Sequence, residues 1–409
     1  MVTARAYFYG IDLVRFSSAL MVACFHVGYS SLKPGSRGAP LVDGSISFPE
    51  GRVFFWGWVG VEIFFVISGF VIANSANGST PFRFLRSRME RLYPAVWICA
   101  TISALVWLIS GAEPVRNVVA EYLHTITLWP LGAWVDAPYW TIACEIVFYA
   151  LVFLLLLGRS FHRLEKFAIA VVIISSVFWA LYLAVTLSHT AVPPLMMFFV
   201  SGAGNMLPIY YGPFFGLGML MWVWRRKGLS TPGVVAVMAA LALGVVETIG
   251  INSVSTALDE IYAGSLDFLR FVRPFVWLGA VGILFVSSAY PASETMAPAK
   301  LRVLRNIGLA TYPLYLLHFA LGVWTLRLLT GSGLAALPSF ILVIAFLCTL
   351  SLVITIYGEP ALRGFIRTAF NRSEVTLSSY RSLSSILHRN GGAVPARLLK
   401  AEVALGNRA

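Results

Sequence analysis

Long apolar blocks separated by short polar segments follow one another along most of this 409-residue chain. A helix needs about 20 mainly apolar residues to cross a hydrocarbon core of about 30 Å. Ten blocks of roughly that length end at charges or at clusters of Pro, Gly and Ser. The pattern predicts an all-α, polytopic membrane helix bundle of about ten transmembrane helices. The predicted spans cover residues 11–29, 54–75, 94–111, 137–157, 167–187, 209–224, 233–251, 271–290, 309–327 and 337–357.

The composition excludes a soluble enzyme. Hydrophobic residues make up 58% of the chain and charged residues only 12%, with a mean hydropathy of +0.81. Soluble domains carry about 25% charged residues. The four cysteines all lie within apolar blocks, so we expect neither a disulfide framework nor a zinc site.

The positive charges are distributed unevenly between the two sides of the predicted bundle. If the N-terminus is cytoplasmic, 23 of the 30 Lys and Arg residues face the cytoplasm and seven face the opposite side. Short loops rich in these residues stay inside the cell, so both termini are predicted to be cytoplasmic. The excess of +12 then reflects orientation, and no nucleic-acid partner is expected. We predict a transmembrane domain over 1–360 and a flexible, basic cytoplasmic tail over 361–409.

The first span contains ionisable residues that are costly in hydrocarbon, and such residues commonly face a cavity and serve a function. Arg15 and His26 are eleven residues apart, which places them on one helix face and about 16 Å apart along the axis. Either residue also has a structural interpretation, in which Arg15 is an orienting charge near the surface and His26 is a core histidine bonded to a carbonyl.

Three more ionisable residues within predicted spans are candidate site residues. Glu62 is at a depth similar to that of His26, where a carboxylate could orient the imidazole and stabilise the imidazolium; the alternative is an interfacial Glu in contact with water. Glu145 and His318 lie in the fourth and ninth spans, where each could instead tether two helices. Ser68 and Gly69, which follow Glu62 in the second span, are typical of close helix packing.

Four arginines follow the second span, in R-F-L-R-S-R-M-E-R at 83–91. The guanidinium group binds phosphate through a fixed fork of donors, although the cluster is also what the orientation of the chain alone would require. Phosphate binding at one surface and a general base deeper in the bundle suit acyl-coenzyme A. Its phosphates would contact Arg15, Arg88 and Arg91, while its thioester would approach His26.

These residues resemble a known family, the integral-membrane acyltransferase-3 family, over most of the chain. The motifs are the Arg15 and His26 pair, G-V-E-I-F-F-V-I-S-G-F at 60–70, Arg88-x-x-Arg91 before L-Y-P, W-T-I-A-C-E-I-V-F-Y at 140–149, Y-P-L-Y-L-L-H at 312–318 and the final Glu-Pro at 359–360.

The resemblance implies a role for each matching residue. His26 is expected to be the general base or an acyl relay, and Arg15, Arg88 and Arg91, together with Arg86, are expected to bind the donor. Glu62 stands where many relatives carry Asp. The resemblance adds two further catalytic candidates, Glu145 and His318.

The resemblance also implies the reaction. The protein is expected to be an O-acyltransferase of the bacterial inner membrane that uses acetyl-CoA and no metal. The acceptor would be a glycan such as an exopolysaccharide, an O-antigen or a lipo-oligosaccharide, either free or lipid-linked. The protein itself would be in contact with membrane lipids. The sequence does not name the sugar, the hydroxyl or the oxyanion-stabilising group, and it leaves open whether the chain forms a homo-oligomer.

Two other functions fit the same residues. A secondary transporter or lipid-linked glycan flippase would use the buried Arg, His and Glu side chains as a proton or substrate pathway. A glycan polymerase or ligase would be expected to carry a large outer loop, and the predicted outer loops are short.

Overall fold

The structure is a computed structural model, and it describes residues 8–188, 190–201, 203–249, 272–290 and 296–368. In this part of the chain the regular structure is helical and contains no strand. Short helical turns connect the long helices at Ser30–Leu32, Ala39–Val42, Pro49–Phe54, Gly57–Val59, Ala137–Tyr139, Phe161–Arg163, Pro194–Ser201 and Ala203–Met206. The long helices are α1 (Tyr9–Gly28), α2 (Gly60–Ala76), α3 (Pro81–Ser110), α4 (Val115–Thr127), α5 (Trp140–Leu157), α6 (Leu164–Leu187), α7 (Gly212–Lys227), α8 (Thr231–Ile249), α9 (Val272–Ala289), α10 (Pro298–Leu317), α11 (Ala320–Gly331) and α12 (Ala336–Val353).

The predicted fold class is confirmed. Among the described residues, eight helices are long and apolar enough to cross a membrane, and a ninth span is added if the bent pair α10 and α11 counts as one. The sixth predicted span corresponds to α7, which has only 16 residues. The count of about ten and the cytoplasmic location of the termini stay predictions.

The ninth predicted span, 309–327, was wrong as a single continuous helix. The chain bends by 73° between α10 and α11, and His318 and Phe319 lie at the bend. The sequence Y-P-L-Y-L-L-H-F-A-L-G has no Gly, Pro or Ser cluster at residues 318–319, so it does not mark the position of the break. A tertiary contact stabilises the new helix end, since the backbone N–H of Ala320 at the start of α11 donates to the buried carboxylate of Asp136 at 3.1 Å.

The arginine cluster and the third predicted span form one helix. Pro81 begins α3 with its ring in the first turn, where the missing N–H costs nothing, and the Thr80 hydroxyl accepts a hydrogen bond from the Arg83 N–H at 3.3 Å. The helix ends where Gly111 adopts a left-handed conformation, with φ at 65°. The arginines are therefore held rigidly on the same helix that packs in the core.

The core of the bundle is built around α1 and α2. Helix α1 packs against α10 and α2, and α2 packs against α7. At the crossing of α2 and α7, a Cβ atom on Gly69 would collide with the carbonyl oxygen of Phe215, and one on Gly218 would collide with that of Val66. Gly69 thus permits close helix packing, as the sequence indicated.

The chain divides into two units at Pro360. Helix α12 continues through a π turn at Ile354–Gly358 near the end of the first unit. Of the predicted tail, residues 361–368 are described and helical. Residues 369–409, the predicted span ends at 250–251 and 271, and the charges at Arg5 and Arg270 lie outside the described residues.

Candidate active site

A cavity of about 80 Å³ opens between α1, α2, α3, α5 and α10. Its lining brings together Arg15 of α1 with Arg88 and Arg91 of α3, and we call it the arginine cavity. Arg88 and Arg91 are three residues apart and so share a helix face. The remaining lining is Val61, Phe64, Phe65, Ser68, Val71, Ile72, Leu92, Thr141, Ile142, Glu145, Tyr149, Thr311, Tyr312 and Tyr315.

The structure separates the fourth predicted donor-binding arginine from the other three. Arg86 forms an ion pair with Glu90, one turn further along α3, at 2.9 Å, and it does not line the arginine cavity. Arg88 is buried, with its guanidinium over the rings of Phe84 and Tyr149 at 5.7 and 5.6 Å. Helical periodicity explains the separation, because a shift of two residues from Arg88 turns Arg86 by about 200°.

Glu145 supplies the carboxylate of the arginine cavity. Its Oε1 accepts hydrogen bonds from the Tyr149 hydroxyl at 2.7 Å and from the Ser68 hydroxyl at 3.0 Å. Ser68 therefore serves this polar network as well as lying near the helix contact that its neighbour Gly69 makes. Glu145 lines the same cavity as the three arginines and is placed there by α5.

A second cavity, of about 360 Å³, lies at the C-terminal end of α1, and we call it the histidine cavity. His26 lines it together with the flat side chains of Phe25, Tyr29, Phe55 and Trp58. The other lining residues are Ser30, Ser31, Lys33, Pro34, Gly35, Ser36, Arg37, Ala137, Arg273 and Phe319. Among the described residues, the two cavities have no lining residue in common.

His26 and His318 form a direct pair. The Nδ1 of His26 lies 2.9 Å from the Nε2 of His318, and the two rings are inclined by only 30°. His318 is completely buried. The structure thus joins two of the predicted catalytic residues across 292 positions of sequence, a contact that the sequence analysis did not anticipate.

Glu62 lines neither of the two cavities. It is buried in α2, where the charged side chains that act most strongly on its carboxylate are Glu247 of α8 and Arg273 of α9. The hydrogen-bond partner of the His26 ring in the described structure is His318, not the Glu62 carboxylate that the sequence suggested. Sequence reasoning missed Glu247 as a site residue, although a carboxylate inside a predicted span was a visible signal.

Two hydroxyl groups lie where the arginine cavity approaches the histidine pair. The Thr141 and Tyr315 hydroxyls are 3.1 Å apart, and both residues line the arginine cavity. The Tyr315 ring contacts the His318 ring, with 5.6 Å between ring centres. Ala137, one turn before Thr141, lines the histidine cavity instead. Tyr315 and Thr141 therefore mark the boundary between the two cavities.

Metal ligation finds no support in the described part of the chain, where no three His, Cys, Asp or Glu side chains are grouped as a metal site would require. The arrangement consists instead of a cavity with three arginines, a partly buried His26 paired with the buried His318, and an aromatic cavity that also contains three cationic side chains. It can bind a polyanion on one side and accept a proton on the other.

The comparison with known families decides the class of protein. Residues 8–358 match the model of a family described as an acyltransferase domain. The chain belongs to this acyltransferase family. The resemblance to acyltransferase-3 proteins seen in the sequence is confirmed, and with it the expectation of an enzyme. No comparison supports the transporter or flippase alternative.

The relatives of this acyltransferase are distant. ExoZ of Rhizobium meliloti, an exopolysaccharide production protein, is 26% identical over 67% of this chain and 79% of its own. BcsY of Komagataeibacter xylinus, which is named as a candidate membrane-bound transacylase, is 27% identical over 45% of this chain and 49% of BcsY. OatA of Listeria monocytogenes, a peptidoglycan O-acetyltransferase, is 23% identical over 77% of this chain and 49% of OatA.

The chain thus spans about half the length of BcsY and of OatA. No solved structure matches it. The geometry described above is therefore the basis for assigning roles to its residues.

Proposed function

We propose that this protein transfers an acyl group, acetyl in the simplest case, from acyl-CoA in the arginine cavity to a glycan hydroxyl in the histidine cavity. His26 acts as the general base. The observation that carries the proposal is the placement of His26, which lines the aromatic cavity and bonds through its ring to His318, next to the boundary with the arginine cavity.

The arginine cavity suits the donor. Three guanidinium groups converge there from α1 and α3, and Arg binds phosphate oxygens through charge-assisted, bidentate hydrogen bonds. The phosphates of coenzyme A would rest on Arg15, Arg88 and Arg91 near the cytoplasmic surface, if the predicted orientation holds. The pantetheine arm would then extend toward Tyr315 and Thr141, and would displace their hydrogen bond to bring the thioester to His26.

The histidine cavity suits a sugar. Phe25, Tyr29, Phe55 and Trp58 present flat apolar faces, and ligand sites of this kind combine such faces with a few polar groups that fix orientation. The names of ExoZ and OatA refer to polysaccharides, which supports a glycan as the acceptor here. The proposal includes a bacterial inner-membrane location, as for an enzyme that meets both cytoplasmic acyl-CoA and a surface glycan.

The bond between the histidines selects the reactive nitrogen. If the Nδ1–H of His26 donates to the Nε2 of His318, the Nε2 of His26 keeps a free lone pair that can accept a proton. The acceptor hydroxyl oxygen then attacks the thioester carbon as its proton moves to this Nε2. The carbon–sulfur bond breaks, and the thiolate of coenzyme A takes the proton from the His26 imidazolium. His318 stabilises the imidazolium through the shared hydrogen bond.

The test uses purified full-length protein, radiolabelled acetyl-CoA and chemically de-O-acetylated exopolysaccharide. We expect His26→Ala to lower kcat by about 10²- to 10⁴-fold, the usual contribution of a general base, and to leave acetyl-CoA binding intact. His162→Ala is the matched control, because His162 is exposed at the turn before α6. Full transfer by His26→Ala would remove the catalytic assignment. Absence of acetyl-CoA binding by the wild-type protein would contradict the proposed donor.

A further inference from the structure

Asp136 is a buried carboxylate that joins three parts of the fold. Its side chain is completely buried. Oδ2 accepts hydrogen bonds from the Ser103 hydroxyl of α3 at 3.0 Å and from the backbone N–H of Ala320 at 3.1 Å. Oδ1 accepts from the N–H of Ala137 at 3.1 Å. Burying a carboxylate costs free energy unless hydrogen-bond donors surround it. The three hydrogen bonds therefore hold the chain segments that carry the donors close to Asp136.

The bond to Ala320 acts at the helix break. Ala320 is the first residue of α11, where the backbone N–H groups have no acceptor within their own helix. A carboxylate at this end also interacts favourably with the helix dipole. Asp136 therefore fixes the place and direction in which α11 begins, two residues after His318.

Asp136 also holds both sides of the histidine cavity. Ala137, which donates to Oδ1, and Phe319, which directly precedes Ala320, both line this cavity. The Phe319 ring meets the His26 ring edge to face, with 5.3 Å between ring centres. A movement of Ala320 would move Phe319 and His318 together, and both contact His26.

From this geometry we infer that Asp136 is a positioning residue for acyl transfer, holding His318 against His26 through the start of α11. The inference rests on the function proposed above. Asp136 contacts neither histidine directly, so its effect comes through the backbone. The inter-imidazole hydrogen bond of 2.9 Å tolerates little displacement, since misplacing a reacting group by about 1 Å can cost about 10²-fold in rate.

The chemistry of the three donors makes Asp136→Asn a sharp test. Asparagine keeps one acceptor oxygen but has an NH₂ group in place of the other. In either orientation of the amide, this NH₂ group faces the backbone N–H of Ala137 or that of Ala320, and two donors cannot form a hydrogen bond.

Burial raises the pKa of the Asp136 carboxyl to about 7. Assays are therefore run at pH 8, where the carboxyl of the wild-type protein is mainly ionised.

The kinetic experiment measures kcat and KM for acetyl-CoA with radiolabelled donor and de-O-acetylated exopolysaccharide. We expect Asp136→Asn to lower kcat by about 10- to 100-fold with KM for acetyl-CoA unchanged, because the arginine cavity does not include this residue. Asp43→Asn, at an exposed turn, is the matched control. An unchanged kcat in Asp136→Asn overturns the inference.

A spectroscopic readout separates positioning from a general loss of stability. Imidazole ¹⁵N resonances of the full-length protein in detergent report the hydrogen bond between the two rings, and His318→Gln identifies the signals of the pair. We expect Asp136→Asn to shift or lose the hydrogen-bonded signal while the protein stays folded. A signal identical to that of the wild type overturns the inference.

A second variant keeps the test decisive if Asp136→Asn does not fold. Ser103→Ala removes one donor to Oδ2 and leaves the bond to Ala320, so we expect a smaller, few-fold loss of kcat and a partial shift of the same signal. Wild-type values for both would then overturn the inference. If His26→Ala retains full activity, the proposed function fails, whereas the ¹⁵N signal still decides whether Asp136 holds the pair together.

Discussion

The arginine cavity and the histidine cavity differ in chemistry and in construction. The first is strongly cationic, and its arginines sit on two continuous helices with Glu145 as a fixed counter-charge. The second is rich in aromatic side chains and also contains three cationic ones, Lys33, Arg37 and Arg273. Its candidate reactive group is an imidazole pair assembled where α1 ends and α10 breaks. The difference indicates that donor binding and proton transfer are divided between two regions of the bundle. Variants in one region should change KM for the donor, and variants in the other should change kcat.

After removal of His26 itself, the largest effect on kcat is expected from replacing His318, the hydrogen-bond partner of His26. His318→Gln removes the ring that stabilises the His26 imidazolium, and we expect kcat to fall by about 10²-fold, the lower end of what a general base contributes. KM for acetyl-CoA should stay within about twofold, as no described lining residue of the arginine cavity is changed. The measurement is steady-state transfer of labelled acetyl groups.

His162→Gln, the same substitution at an exposed site, controls for loss of a histidine as such. If His318→Gln raised KM for acetyl-CoA and left kcat intact, donor binding and proton transfer would not be divided between the two cavities.

A smaller effect is expected on donor affinity. Arg91→Ala removes one guanidinium from the arginine cavity, and a charge-assisted hydrogen bond contributes about 1.5–3 kcal/mol. We therefore expect KM for acetyl-CoA to rise by about tenfold or more with kcat little changed. Arg86→Ala provides an internal control, because this arginine belongs to the same cluster but pairs with Glu90 outside the cavity. Equal effects of the two substitutions would mean that only the net charge of the helix matters.

The arginine cavity could largely be predicted from the sequence, and the histidine pair could not. Arg88 and Arg91 lie three residues apart on one helix, so local periodicity places them together. Arg86 was assigned with them because clustering in sequence does not by itself show which face of the helix a side chain occupies.

The pairing of His26 with His318 depends on a helix break inside a predicted span. At this break, Asp136, which is 184 positions away in the sequence, accepts a hydrogen bond from the first residue of α11. Hydrophobic periodicity is insensitive to such a contact, because it reports only the exposure of residues within one segment. The same limit explains why Glu62 seemed a suitable partner for His26, since similar depth in the membrane does not establish contact.

The smallest effect expected concerns Glu145, and its sign distinguishes two roles. If Glu145 is a counter-charge to Arg15, Arg88 and Arg91, Glu145→Gln retains an acceptor for the Tyr149 and Ser68 hydroxyls but makes the arginine cavity more positive. Donor phosphates would then bind more tightly, and we expect KM for acetyl-CoA to fall a few-fold with kcat nearly unchanged.

A catalytic Glu145, as the sequence suggested, gives the opposite pattern, a loss of kcat with KM constant. The geometry favours the counter-charge, because Glu145 lines the arginine cavity and the proposed base lines the other one. Glu50→Gln, an exposed site, controls for the change in overall charge. Raising the salt concentration should reduce the difference in KM between Glu145→Gln and the wild type, since screening weakens an electrostatic effect of this kind.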